Sequence, residues 1–184
     1  MVLHPGSAVT CTIEEGLENV ALALNEILSQ DDTNVKICLE TMAGKGHELG
    51  RSFEELSAII ERVEKKDRIG VCLDTCHLND AGYDVRDIKG LLQKFDAIIG
   101  LSRLKVIHLN DSKNERGSHK DRHENIGLGT IGFETLEQWV REPRLTVIPK
   151  ILETPAVGDL LPYKKEIEML RGDSFDCKWR DDLL

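Results

Sequence analysis

Five short apolar runs in this chain each end on a histidine or a carboxylate: Val2-Leu3-His4, Val35 to Glu40, Ile69 to Asp74, Leu104 to His108, and Val147 to Glu153. A strand covered on both faces reads as a nearly continuous apolar run. An acid where such a run ends is costly to bury unless it is paired or bound to metal. The end residues recur at intervals of 36, 34, 34 and 45 positions, with helical patterns between them. Repeated βα units of this length imply a parallel sheet, either an open doubly wound sheet or part of a (β/α)8 barrel. Gly44-Lys45-Gly46 is a poor match to a dinucleotide-binding turn, and no phosphate-binding P-loop is present. A barrel collects side chains from several strand ends at one mouth, and five of five such ends here carry ligand-type residues. The pattern therefore points to an α/β fold, an incomplete (β/α)8 TIM barrel with about five βα units.

The intervening segments carry their own signals. Thr12 and Glu15 form a capping box before Leu17, Val20, Ala21, Leu24, Ile27 and Leu28, and Ser52 and Glu55 repeat it before Phe53, Leu56, Ile59, Ile60 and Val63. Lys65 and Lys66 suit the C-terminal end of that second helix. A loop is expected around Asn79 to Tyr83, then a helix over Ile88 to Ile99 with Gly100 as its cap. Residues 110–131 show no periodicity, and a polar loop of that size is more often functional than accidental. Phe133 to Val140 read as a short helix stopped by Pro143. A last helix has Pro162 near its first turn and uses Ile167 and Leu170. Residues 1–173 form the domain, and 174–184 read as a polar, frayed tail.

The formal net charge of −9 over 184 residues excludes a general basic coat for nucleic acid but not a local site. No run approaches the ~18 apolar residues of a membrane span, and no N-terminal signal pattern is visible. The expectation is a soluble intracellular protein of the cytoplasm or nucleus. The cysteines are five, an odd number, and read as buried thiols of a reducing compartment. Cys72 and Cys76 lie four apart, unlike a C-x-x-C metal or redox pair, and receive no metal role.

The strand-end set is His4, Glu40, Asp74, His108 and Glu153. His77 follows Asp74 by three, and Asp121 and His123 lie in the long loop. Taken singly, each has an ordinary reading: an exposed histidine, a loop cap, a hydrogen-bonded turn, a solvated charge. Brought to one mouth, four carboxylates would repel one another unless cations or protons intervened. Imidazole with carboxylate suits zinc, with iron or manganese as alternatives. His47 and His119 lack a strand-end position and read as surface histidines. Lys113, Arg116, Lys120 and Arg122 make the long loop basic, which fits phosphate contact if the substrate is nucleic acid.

The chain resembles the endonuclease IV family of apurinic/apyrimidinic endonucleases. The strings that carry the resemblance are Leu3-His4-Pro5-Gly6-Ser7, Leu39 to Gly44, Gly70 to His77 (GVCLDTCH), His108 to Lys113 (HLNDSK), Asp121 to Gly127 (DRHENIG), and Ile151 to Thr154. They cover nearly the whole chain up to the last helix. Thr41 stands where the family commonly has asparagine. The resemblance implies an enzyme of DNA base excision repair, a deoxyribonuclease with a TIM barrel and three metal ions, usually zinc, with manganese possible. Glu40, its catalytic residue, would bridge two metals, one also taking His4 and the other Asp74, His108 and Glu153. The third would be held by His77, Asp121 and His123. A metal-bound hydroxide would attack the phosphodiester 5′ to an abasic site in double-stranded DNA, with the damaged nucleotide flipped out. Lys113 and Arg122 would contact the DNA.

The family's first three strands have no counterpart here, and with them goes a further metal-binding histidine. A complete barrel takes ~250 residues. The expectation is a C-terminal portion of such an enzyme, weakly active or inactive alone, with the missing wall supplied by a second chain as the alternative. Two other functions fit part of the pattern. A xylose-isomerase-like sugar isomerase or epimerase needs one or two metals and no third cluster. A non-catalytic remnant would bind abasic DNA without cutting it, or do neither.

Overall fold

The computed structural model describes residues 1–172 and 174–181. Its centre is a parallel sheet of five strands: β1 (Val2–Leu3), β2 (Ile37–Glu40), β3 (Ile69–Asp74), β4 (Leu104–His108) and β7 (Lys150–Ile151), in the spatial order β1-β2-β3-β4-β7. Two short strands, β5 (Asp111–Ser112) and β6 (His123–Glu124), pair antiparallel as a hairpin inside the long loop. The sheet does not close. β1 and β7 are its two edges, so the barrel is incomplete, as the count of βα units implies.

Every residue of β2 and β3 is buried, which explains why both read as unbroken apolar runs. Registers such as Glu40 opposite Cys72 and Asp74 opposite His108 bring the strand ends to a common level. The second and last strands are shorter than the apolar runs that announce them. Val35 and Val147 are exposed. A 3-10 turn at Pro143–Leu145 and Pro149, which has no N–H, delay pairing of the last run until Lys150.

Among the described residues, six α-helices alternate with the strands: α1 (Ile13–Gln30), α2 (Phe53–Arg62), α3 (Thr75–Ala81), α4 (Ile88–Ile98), α5 (Phe133–Arg141) and α6 (Tyr163–Gly172). Thr12 and Glu15 make the complete capping box on α1. On α2, Ser52 caps as expected, but Glu55 turns back to the Gly50 and Arg51 N–H groups. Lys65 does not serve α2. Its Nζ donates to the Leu28 carbonyl at 2.6 Å, supplying a cation to the end of α1, whose own last turn has none. Arg68 pairs with Asp31 at 2.5 Å, and that hydrogen bond holds the Asp31 carboxyl down at about 2.

Two expectations are corrected. The loop expected around Asn79 to Tyr83 begins only at Gly82, because Asn79 to Ala81 belong to the helix α3. Asp74 caps it by accepting the His77 N–H at 2.8 Å, and Gly82, at φ +107°, ends it in a left-handed conformation that favours glycine. Within the tail expected to fray, the described residues 174–181 are docked instead. Phe175 stacks on Phe133, Arg180 pairs with Glu124, and Trp179 is fully buried; residues 182–184 of that tail lie outside the described residues. Trp179→Ala is expected to destabilise the fold by about 3–5 kcal/mol, the scale for emptying a large aromatic site, read as a lower urea midpoint. A midpoint unchanged from wild type would mean that the segment is only loosely attached.

Candidate metal centre

The C-terminal ends of the strands bring all eight predicted ligand residues together. Glu40, Asp74, His108 and Glu153 place donor atoms within 4.8 Å of one another, and so do His77, Asp121 and His123. His108 Nδ1 lies 2.8 Å from Glu40 Oε1, 3.0 Å from Glu153 Oε2 and 3.9 Å from Asp74 Oδ2. His77 Nε2 is 3.0 Å from Asp121 Oδ1, and His123 Nε2 is 3.7 Å from the same oxygen. His123 Nε2 also lies 3.6 Å from Asp74 Oδ2, so the two sets share a border at Asp74. His4 stands on the edge strand with its side chain 61% exposed, its Nε2 3.0 Å from Glu40 Oε2.

The imidazole orientations are set by backbone carbonyls. His77 Nδ1 faces the Thr41 carbonyl at 2.9 Å, and His123 Nδ1 faces the Glu153 carbonyl at 3.2 Å. A carbonyl only accepts, so each Nδ1 is the protonated nitrogen and each Nε2 is turned inward. This is how metal-ligating histidines are commonly fixed.

The donor set fits divalent ions on a second ground. Glu40 Oε2 and His123 Nε2 are buried and make no hydrogen bond; His4 approaches Glu40 Oε2 as an ion-pair neighbour, outside hydrogen-bonding geometry. Buried polar atoms are normally satisfied, and unsatisfied ones call for an explanation such as an ion. Cys72 and Cys76 each complete a further group of donors, Glu40-Cys72-His108 and Asp74-Cys76-His123. Burial pushes the Cys72 thiol up to about 12 and Cys76 higher still.

Without metal, protons take the place of cations. Burial alone would lower His77, yet Asp74, Asp121 and Glu40 outweigh it and hold the ring up at about 10. Burial is likewise overcome at His108, where Cys72, Glu153 and Glu40 raise it to about 12. The partners respond in kind: the hydrogen bond from His77 lowers Asp121, and that from His108 lowers Glu153. A histidine raised in the folded state stabilises it fully below its unfolded value near 6.5 and ceases to do so as pH rises through the folded value. The metal-free protein should therefore melt at progressively lower temperature from about pH 6.5 towards pH 10. With saturating zinc, which replaces those protons, the decline should shrink. Equal declines with and without zinc would contradict this arrangement.

Supporting residues escaped the sequence reading. Asp80, fully buried in α3, accepts the Asp121 N–H at 3.0 Å, the Ser112 hydroxyl at 2.7 Å and the Asn114 amide at 3.2 Å. It thereby holds Asp121, whose φ of +54° lies in the left-handed region. Glu166, buried in α6, accepts from Thr154 at 2.5 Å and from the Ile126 N–H at 3.0 Å, bracing the segments beside Glu153 and His123. Nothing in a linear pattern marks an isolated acid as buried. Of the predicted DNA contacts, Lys113 and Arg122 are both exposed, and the Lys113 N–H donates to the Arg122 carbonyl at 2.9 Å, extending the hairpin. His47 and His119 are exposed, as expected, although His119 Nδ1 meets the Ala43 carbonyl at 2.9 Å.

The family model described as xylose isomerase-like TIM barrel matches residues 1–172. The chain belongs to this family. A protein of Oceanobacillus iheyensis named "Probable endonuclease 4" is 55% identical over the whole of this chain, which spans 64% of that relative's length. The crystal structure of endonuclease IV from Thermus thermophilus superposes with a TM-score of 0.76 at 35% identity, covering 93% of this chain and 60% of that one. A D-tagatose 3-epimerase-like protein superposes with a TM-score of 0.65 at 25% identity, covering 94% of this chain and 63% of that one. Both enzyme chemistries weighed from the sequence are thus represented, by name, among proteins that share this fold. The chain spans about three-fifths of the length of these relatives. Among the described residues, no helix is long and apolar enough to cross a membrane.

Proposed function

We propose that this chain carries most of the metal centre of an endonuclease IV-type enzyme, acting inside the cell on the phosphodiester 5′ to an abasic site in double-stranded DNA. The observation that supports it most is the third donor set, His77-Asp121-His123, beside the Glu40-Asp74-His108-Glu153 set. A sugar isomerase or epimerase has no use for that additional set. Glu40, with one oxygen towards His108 and the other towards His4, would serve the ions on both sides. Asp74, His108 and Glu153 would hold a second ion with it, and His77, Asp121 and His123 a third. Zinc suits this mixture of nitrogen and oxygen donors, with manganese as the alternative. Bound there, such ions supply Lewis-acid stabilisation of phosphodiester charge and an ionised water as nucleophile.

The chain's own residues bind and orient. The carbonyls of Thr41 and Glu153 keep the imidazoles of His77 and His123 turned inward. Arg122, exposed between Asp121 and His123, and the exposed Lys113 that pairs with its backbone would contact phosphates. His4 and Glu40 alone leave their ion short of donors. The expected activity is metal-dependent incision of a duplex bearing a single abasic site, much slower than that of a full-length relative. A gel incision assay with zinc or manganese tests this. Metal-dependent epimerisation of a ketose without any incision or selective binding of abasic DNA would overturn it in favour of the sugar-enzyme reading.

A further inference from the structure

Asn110 lies two residues beyond His108 and is fully buried. Its side chain joins two carboxylate residues that come from different strands. Nδ2 donates to Asp74 Oδ2 at 2.7 Å, and Oδ1 accepts the Glu153 N–H at 2.8 Å. The amide cannot be reversed, because a carboxylate only accepts and a backbone N–H only donates. Its main chain is held as firmly: the Asn110 N–H donates to Thr75 Oγ1 at 2.9 Å, and that hydroxyl donates to the Asn110 carbonyl at 2.6 Å. Thr75 is the first residue of α3, the helix that Asp74 caps.

The location explains the need. The ladder between β4 and β7 has few rungs, its last being the Leu109 N–H to the Ile151 carbonyl at 2.8 Å. Glu153 lies two residues past that point, beyond the end of the edge strand β7. The Asn110 side chain continues the ladder where the backbone no longer does. At Asp74 it completes a clamp: Oδ1 takes the His77 N–H at 2.8 Å and Oδ2 takes Asn110. With both oxygens engaged the carboxylate cannot rotate, and each keeps a further lone pair.

We propose that Asn110 is a positioning residue that fixes Asp74 and Glu153 relative to each other, so that both present oxygens to one divalent ion. This rests on the reading that Asp74, His108 and Glu153 hold such an ion. Asn110→Asp keeps the size and the acceptor for Glu153 but sets a carboxylate against Asp74. Removal of an outer partner of a metal ligand weakens binding by about 10–100-fold.

The test is zinc and cobalt(II) titration of the metal-stripped chain against a chromophoric chelator, in the wild type, Asn110→Asp, Asn110→Ser and His77→Ala. His77→Ala identifies which binding step belongs to the His77-Asp121-His123 set. The expected result is a fall of about 10–100-fold confined to the other step, with cobalt absorption of the His77 step unchanged. Asn110→Ser carries the same test if Asn110→Asp does not fold by circular dichroism. Equal binding in wild type and variants, or an equal loss at both steps, would overturn the proposal. A wild type that binds no metal would instead defeat the reading on which it rests.

Discussion

Glu40→Ala is expected to reduce metal-dependent incision of abasic DNA by more than about 100-fold, the scale on which losing a single preorganised electrostatic group slows a reaction. Glu40 is fully buried at the end of β2, between His108 on one side and His4 on the other. Asp74 cannot swing over to replace it, because its carboxylate is held by the His77 N–H and the Asn110 amide. Glu40→Gln keeps the shape and removes the charge, and it should fail to nearly the same degree. A gel assay of both variants, with zinc content measured on the same samples, checks the effect. Incision by Glu40→Ala within a few-fold of wild type would remove Glu40 from the reaction.

Asp111→Ala is expected to be the most destabilising substitution near the site. The Asp111 carboxylate is fully buried and accepts the N–H groups of Ser112, Gly127, Gly129, Ile131 and Gly132. Burial raises its pKa, against the pull of those N–H groups. Truncation strands several backbone donors at about 1–3 kcal/mol each, so a loss of about 4 kcal/mol or more is expected even if water satisfies some of them. Gly129→Ala tests the same turn from outside, since a Cβ there would fall on the Ser112 carbonyl oxygen and the Asp111 carboxylate. Urea denaturation with fluorescence detection measures both. Midpoints within error of wild type would show that this turn is not closed around Asp111.

Asp111 also shows the limit of what the sequence makes legible. The strands β3 and β4 could be read to the residue: Ile69–Asp74 is buried throughout and nearly continuously apolar up to its terminal acid, and Leu104–His108 keeps Leu104, Val106 and Ile107 around a half-buried Lys105. The candidate ligands Glu40, Asp74 and His108 stand out because a charge at the end of a buried strand is conspicuous. Short polar helices and turns held by side chains leave no such trace. α3 is buried through polar residues, among them Thr75, His77, Asn79 and Asp80, so its Thr-Cys-His-Leu-Asn-Asp sequence has no apolar face to reveal it. The β5–β6 hairpin pairs four residues and stands on Asp80 and Asp111, most of whose partners, such as Asp121 N–H, Ser112 Oγ and Ile131 N–H, are distant in sequence. The C-terminal segment reads as polar because its docking residues Phe175, Trp179 and Arg180 make no periodic apolar pattern. Asn110 lay within a recognisable string, yet only the geometry shows it joining Asp74 to Glu153.

The central claim is that these strand ends form a centre for divalent ions, and counting ions on the folded chain tests it most directly. The protein is stripped with chelator, reconstituted with zinc, freed of excess and analysed for metal. The account predicts two retained zinc ions per chain, one for each of the carboxylate-imidazole sets Glu40-Asp74-His108-Glu153 and His77-Asp121-His123, together with a higher melting temperature. Less than one zinc per chain, with a melting temperature that zinc does not change, would contradict it.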